Sequence, residues 1–283
     1  EWALEHGSVH PWTVVKQGSD KWRSGQHYKI GTNRGSAALP FSLPSPRDVG
    51  PSVGPDTHFA KYDLRDGFWS VPVALHSRHH LMVRHPATGR LLRCTSLPFG
   101  YARSPEYFCA VTEAVGVMAR RRFAALGIKA QIWVFVDDYL LAGCDRETTQ
   151  RAMRAFESLL AELGLPFAPH KTRGPTRVIE FLGLLISNVE GARCLSLTRD
   201  RQSKVSSLLS DWASREEPGQ RVTAELKELA SFLGTLVFAS EVIPNARVDL
   251  QSTLAQFKGR GVDWARGLVR SFRSDWARVE LSV

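Results

Sequence analysis

The sequence predicts an α+β protein, and three observations carry that reading. Short runs of β-branched and aromatic residues, bounded by Gly, Pro and Ser, fill much of the chain before Ser196. Stretches with helical spacing lie between those runs. Beyond Ser196 the character changes to Leu- and Trp-containing helical patterns that continue to the end.

The elements follow in order. Up to about Pro55 the chain is rich in Gly, Pro, Ser and basic residues, so loops with a few short strands are expected. Asp63 to Val73 (DLRDGFWSVPV) opens a β-rich region, with Asp63 at the start of a strand-like run. Leu81-Met82-Val83 and Leu91-Leu92 read as a hairpin turning near Ala87-Thr88-Gly89. A helix is predicted after Ser104, with Ser104 as N-cap and Pro105 at the first helical position. Its apolar face is Phe108, Val111, Val115 and Met118, and Gly127 is its stop. Gln131 to Ala142 reads as strands on either side of Asp137-Asp138. Asp145 caps a second helix with Met153, Phe156, Leu159, Leu160 and Leu163 on one face, ending at Gly164. Phe181 to Ser187 (FLGLLIS) reads as a strand. In the tail, Thr198 and Thr223 are candidate N-caps, and Leu226, Leu229, Leu233 and Leu236 mark one buried face.

Composition narrows the function. At 283 residues the chain has room for one large domain or two to three small ones. The net charge of +9 favours a polyanionic partner, nucleic acid first and an anionic membrane second. There is no apolar run of membrane-spanning length, so no bilayer span is expected, there is no basic-then-apolar signal at the N-terminus, and a membrane is not among the expected partners. Cys94, Cys109, Cys144 and Cys194 are scattered without a CxxC pair. That argues against a zinc ribbon or a disulfide framework and fits an intracellular compartment, cytoplasm or nucleus. The chain starts at Glu1 rather than Met, so a piece of a longer polyprotein is expected.

The most informative stretch is VFVDDYLL, Val134 to Leu141. Two adjacent acids between apolar strands repel each other and are tolerated at a hairpin tip. They are either an ordinary Asp-Asp turn or a carboxylate pair neutralised by a divalent cation. Asp63 is a second candidate, either a turn residue or a third carboxylate delivered to the same end of a sheet. Magnesium suits such a set because it takes few carboxylates and completes its octahedron with water and phosphate oxygens. Phosphoryl transfer uses two such ions. The histidines His76, His79, His80 and His85 surround a predicted turn and are read as surface positions rather than a zinc site. Arg120-Arg121-Arg122 is read as a solvated basic helix end.

In order and spacing these segments resemble the polymerase motifs of reverse transcriptases. YDLRDGFWSVPV is similar to the first catalytic motif, SLPFGYARSPEYF (Ser96 to Phe108) to the second, and FVDD (Phe135 to Asp138) to the aromatic-x-Asp-Asp box. LGLPFAPHKT, ending at Thr172, resembles the following lysine segment, and Phe181-Leu182-Gly183 the primer grip. LPFG with FLGLLIS looks most like gypsy- or DIRS-type retrotransposon enzymes.

The resemblance implies a right-hand polymerase fold: an N-terminal fingers segment over 1–55, a palm with inserted fingers elements over 56–190, and a helical thumb with the start of a connection region over 191–283. It implies two Mg2+ ions, with Mn2+ as the alternative, on Asp63, Asp137 and Asp138 and the Leu64 carbonyl. Asp66 and Gly67 border the substrate, Phe68 is the steric gate that selects deoxynucleotides, and Phe99 and Gly100 lie under the incoming base. Lys171 matches a position that protonates the departing pyrophosphate. Lys21-Trp22-Arg23 matches a segment whose Arg23 contacts the triphosphate. The adjoining SGQHYKIGTN departs from the family, with His27 near the place of an Asp, which puts that strand in doubt. The implied partners are dNTPs, a primed RNA or DNA template and the rest of a retroelement polyprotein. A viral RNA-dependent RNA polymerase, a catalytically decayed nucleic-acid-binding remnant and a metal-dependent nuclease are the rival readings.

Overall fold

The computed structural model describes residues 7–17, 21–29, 31–36, 43–45, 48–50, 53–189, 192–215, 222–243, 245–255, 262–263, 268–269 and 278–281. The chain divides into two compact units. One comprises 1–179 with 188–192, and the other 180–187 with 193–283.

The first unit is built on a four-stranded sheet in the order β7-β8-β4-β9. Its strands are β4 (His58–Asp63), β7 (Ala130–Phe135), β8 (Asp138–Gly143) and β9 (Arg173–Thr176). They are antiparallel, with β8 paired to both β4 and β7. Two helices, α1 (Ser104–Ala125) and α2 (Arg146–Glu162), pack on the sheet and on each other. Tyr62, Leu64, Ile132, Val134, Tyr139 and Leu141 meet Phe108, Val115, Phe123, Phe156, Leu159 and Leu160 in one core.

Asp145 caps α2 as expected, its carboxylate accepting from the Thr148 N–H at 2.6 Å, and Gly164 lies just past the helix end. The expected face of α2 holds except for Leu163, which is exposed. The α1 prediction needs two corrections. Ser104 is the first helical residue, not a capping side chain, and Pro105 is the second: Ser104 is fully buried and its hydroxyl donates to the Pro98 carbonyl at 2.8 Å. Met118 is 43% exposed, because the buried face runs Phe108, Thr112, Val115, Gly116, Ala119 and Phe123. Small residues at 112, 116 and 119 let the helix lie close to β7, where an apolar-only count could not see a face. At its end Arg122 pairs with Glu162 of α2 at 2.7 Å, and Arg120 donates to the Ile132 carbonyl at 3.1 Å and pairs with Glu113.

Ahead of this sheet, β1 (Val9–His10) runs parallel to β5 (Met82–Arg84), which forms the expected hairpin with β6 (Leu91–Arg93). Strands β2 (Trp12–Gln17) and β3 (Lys21–Gln26) form an antiparallel hairpin, but of the doubted segment Ser24–Asn33 only Ser24–Gln26 lies in a strand, and Thr32–Arg34 is a 3-10 turn.

Two further expectations are overturned by turns. Asp63 ends β4 rather than starting a strand, and Gly67–Ser70 is a 3-10 turn. Asp66 and Gly67 both have positive φ, 67° and 36°, which breaks the strand that the apolar residues beyond them would otherwise form. FLGLLIS is likewise two strands, β10 (Val178–Phe181) and β11 (Leu184–Val189), because Leu182 and Gly183 both adopt positive φ.

A third strand, β12 (Ala192–Leu197), completes that sheet. The second unit packs α3 (Arg199–Ala213) and α4 (Leu226–Ala239) around Leu184, Leu197, Val205 and Ala239, with Leu236 and Phe238 partly buried against them. Thr198 stands at the N-cap of α3 without a capping side-chain bond. Thr223 lies in a strand, Val222–Glu225, not at a helix start; its side chain and that of Leu226 fall outside the described residues. Leu229 and Leu233 are fully buried.

Candidate active site

Three carboxylates meet where β4 ends and β8 begins. Asp63 is the direct cross-strand partner of Asp138, and Asp137 occupies the turn between β7 and β8. The Leu64 N–H donates to the Asp137 carbonyl at 3.0 Å, which ties the end of β4 to that turn, while the Leu64 side chain is buried. The turn has two residues, and Val136 takes φ 58°. A β-branched residue there is strained by about 1–3 kcal/mol. Backbone alternation places Asp63 and Asp138 on one face of the sheet and Tyr62 and Tyr139 on the helix-covered face.

The electrostatics show a concentration of negative charge. The Asp138 carboxyl is pushed up to about 6, first by burial and then by the charges of Asp137 and Asp63, against smaller opposing effects of Lys61 and Lys171. Lys171 grips Asp63: its Nζ stands 2.9 and 2.8 Å from the two carboxylate oxygens. Cys109 of α1 lies within reach of the same field, its thiol pushed up by burial and by Asp137.

An aromatic group adjoins the carboxylates. Phe68 is half-buried, with ring centroids 5.1 Å from both Phe99 and Phe108, and Trp69 meets Phe99 at 5.9 Å. Phe68 and Trp69 therefore sit in the 3-10 turn against the LPFG segment rather than on a strand. Gly100 has φ 95°, and a Cβ there would stand 2.2 Å from the Gln26 carbonyl oxygen. Its close approach is thus to β3, not to open space for a ligand. Gln26 also donates its N–H to the Phe99 carbonyl at 3.3 Å. Asp66 is exposed beside Arg65 at 3.4 Å. The Arg23 side chain lies outside the described residues.

The predicted residues Asp63, Leu64, Asp66, Gly67, Phe68, Phe99, Asp137, Asp138 and Lys171 all belong to the first unit. Phe181, Leu182 and Gly183 belong to the second, where the Arg201 guanidinium lies over Gly183 and over the Phe238 ring, 4.3 Å from its centroid. Sequence reasoning missed Tyr62, Tyr139 and Glu157 behind the carboxylates and Cys109 beside them. The signal for the tyrosines was available, since each is adjacent in sequence to a candidate aspartate.

The donor set is all hard oxygen and suits a magnesium-like cation. Among the described residues no group of three or more His, Cys, Asp and Glu stands arranged as a ready cation shell, and Lys171 already satisfies Asp63. A cation at these carboxylates would compete with Lys171 for Asp63.

The fold is that of a reverse transcriptase. A foamy viral protease–reverse transcriptase in complex with double-stranded DNA superposes with TM-score 0.68 over 88% of this chain and 39% of its own, at 20% identity. The same kind of enzyme with an RNA/DNA hybrid gives TM-score 0.64 over 88% of this chain and 30% of its own, also at 20% identity. The family model described as reverse transcriptase (RNA-dependent DNA polymerase) matches residues 31–186, more than half of the chain, and the chain belongs to that family. It is 26% identical to the Gag-Pro-Pol polyprotein of human T-cell leukemia virus 2 over 91% of its length, and 25% identical to the Pro-Pol polyprotein of simian foamy virus type 1 over 71%. It spans 17% and 15% of those polyproteins. Among the described residues no helix is long and apolar enough to cross a membrane.

Proposed function

We propose that the chain is the polymerase portion of a retroelement polyprotein, copying a primed RNA or DNA template from dNTPs. The observation that carries this reading is the placement of Asp63 directly opposite Asp138, with Asp137 on the adjoining turn. Asp63, Asp137, Asp138 and the Leu64 carbonyl would hold two Mg2+ ions, with Mn2+ as the alternative. Such ions, when bound, activate the attacking primer oxygen and stabilise the leaving one.

The chain's own residues supply the rest. Lys171 neutralises Asp63 until the site is loaded; once released, its ammonium is placed to give a proton to the departing pyrophosphate. Phe68, fixed between Phe99 and Phe108, presents its ring to the sugar and excludes a 2′-hydroxyl. Phe99 supports the base, Gly100 lets β3 close against the segment that carries Phe99, Asp66 and Gly67 shape the turn beside it, and Arg23 meets the triphosphate. Phe181-Leu182-Gly183 grips the primer strand. In this reading residues 1–55 are fingers, 56–190 palm with inserted fingers elements, and 191–283 thumb and the start of a connection region. The basic chain would hold the phosphate backbone, so template binding weakens steeply with salt. The foamy viral relatives bound to double-stranded DNA and to RNA/DNA hybrid support these partners. LPFG with FLGLLIS supports a gypsy- or DIRS-type origin.

The test is primer extension on a primed RNA template with Mg2+ and dNTPs, beside an Asp137→Asn control. Extension lost in the control supports the reading. Extension that survives in the control sinks the assignment of Asp137. A Phe68→Val variant that gains rNTP incorporation supports the gate.

A further inference from the structure

Tyr62 precedes Asp63 and Tyr139 follows Asp138, and the two tyrosines are direct partners across β4 and β8. The two residues are 1% and 0% exposed. Both pack on Phe156 of α2, at centroid distances of 5.2 and 5.0 Å, and Tyr62 also meets Phe167 at 5.3 Å. Their hydroxyls then diverge. Tyr62 donates to Glu157 Oε1 of α2 at 2.7 Å, and Tyr139 donates to the Thr112 carbonyl of α1 at 3.2 Å. Each carboxylate-bearing strand is therefore fastened to a different helix, one residue from its aspartate.

Packing alone does not require this. Phenylalanine would fill nearly the same volume without a phenol to desolvate, and a buried hydroxyl is tolerated only when it is bonded. What the hydroxyls add is direction: each bond fixes the height and rotation of its strand end against a helix. The adjoining turn holds Val136 at φ 58°, a conformation that persists only where the surrounding structure fixes it.

We propose that Tyr62, Tyr139 and Glu157 are positioning residues that set the separation of Asp63 and Asp138 for cation binding. The inference rests on the two-cation reading of the preceding section. It makes Tyr62→Phe and Tyr139→Phe cation-affinity variants rather than merely stability variants.

The experiment measures Mn2+ binding to the chain by electron paramagnetic resonance titration, and the Mg2+ concentration for half-maximal primer extension. Both are read in wild type, Tyr62→Phe, Tyr139→Phe, the double variant, Glu157→Ala, Glu157→Gln and Asp63→Asn. Removing a group that orients a ligand costs about 10–100-fold in metal affinity or activity, so the double variant should weaken Mn2+ binding and raise the Mg2+ requirement about 10-fold. Its affinity for primed template at low metal should match wild type. Glu157→Ala should behave like Tyr62→Phe, and Glu157→Gln, which keeps an accepting oxygen, should restore the cation affinity. The single variants preserve the test if the double variant does not fold. Tyrosine variants that melt earlier yet keep the wild-type Mn2+ constant and Mg2+ requirement overturn this inference alone. A wild-type chain with no Mn2+ site removed by Asp63→Asn overturns the two-cation reading, and this inference with it.

Discussion

Two hairpins of this protein close with two residues each, and they close differently. Val136-Asp137 joins β7 to β8, and Leu182-Gly183 joins β10 to β11. At the second turn both central residues have positive φ, 52° and 76°, as a type I′ turn requires, and Gly183 occupies one of them without strain. At the first only Val136 is positive, at 58°, where a type II′ turn takes glycine. The first turn also gathers carboxylates, while the second is uncharged and lies under Arg201. The second turn puts a glycine at one of its two left-handed positions and an unbranched-Cβ leucine at the other, whereas the first puts a β-branched residue at its left-handed position and holds like charges together. Strain and repulsion in one place are what a functional site tolerates.

The largest effect that separates the two turns is on turnover. Asp63→Asn should lower primer extension about 1,000-fold, roughly 4 kcal/mol of barrier, in a single-turnover assay. Gly183→Ala assayed on prebound template should change the same rate by less than about 3-fold. Equal losses would erase the distinction.

Next comes a pair of opposite signs. Val136→Gly should raise stability in urea unfolding by about 1 kcal/mol, because glycine accepts the left-handed conformation, while extension falls as Asp137 loses its fixed direction. Gly183→Ala should lower stability by about 1 kcal/mol or more, since the alanine is strained at φ 76° and its Cβ meets the Arg201 guanidinium at 2.4 Å. A stabilised Val136→Gly chain with full activity would show that the strain serves no purpose.

The smallest effect lies away from both turns. Arg122, and after it Ser158, holds the Glu162 carboxyl down to about 2. A depressed folded-state value means that the pair stabilises above the ordinary carboxylate range near 4.5 and that this contribution is lost as pH falls towards 2. The pair is exposed, so Arg122→Gln should lower the melting temperature by no more than about 2 °C at pH 7. The difference should vanish near pH 2. A constant difference across that range would assign the effect to packing of the arginine stem.

How much was legible depended on what each signal averages over. The Asp137-Asp138 hairpin was plain because two acids between apolar runs leave few alternatives. The cap at Asp145 and the stop at Gly164 were plain because both are local chemistry. Asp63 was found but misplaced to the start of a strand, since His58 to Asp63 alternates only weakly and the stronger apolar run follows it. FLGLLIS was read as one strand because Leu182 gives no sign of a left-handed turn. Ser104 resembled a cap in sequence, but its hydroxyl was claimed by Pro98. Glu157 was invisible as a site residue, being 95 positions from the tyrosine that it anchors.

By itself the sequence determined the α+β class, the two amphipathic helices of the first unit, the carboxylate set and the family. These follow from residue type and short spacing, which act within a few residues along the chain. Only the tertiary structure decided that Asp63 stands opposite Asp138, that Lys171 grips Asp63, that Phe68 is wedged between Phe99 and Phe108, and that each tyrosine hydroxyl finds its own helix. Strand register and hydrogen bonds over such separations are set by the collective packing of the sheet against α1 and α2, and no local pattern encodes them.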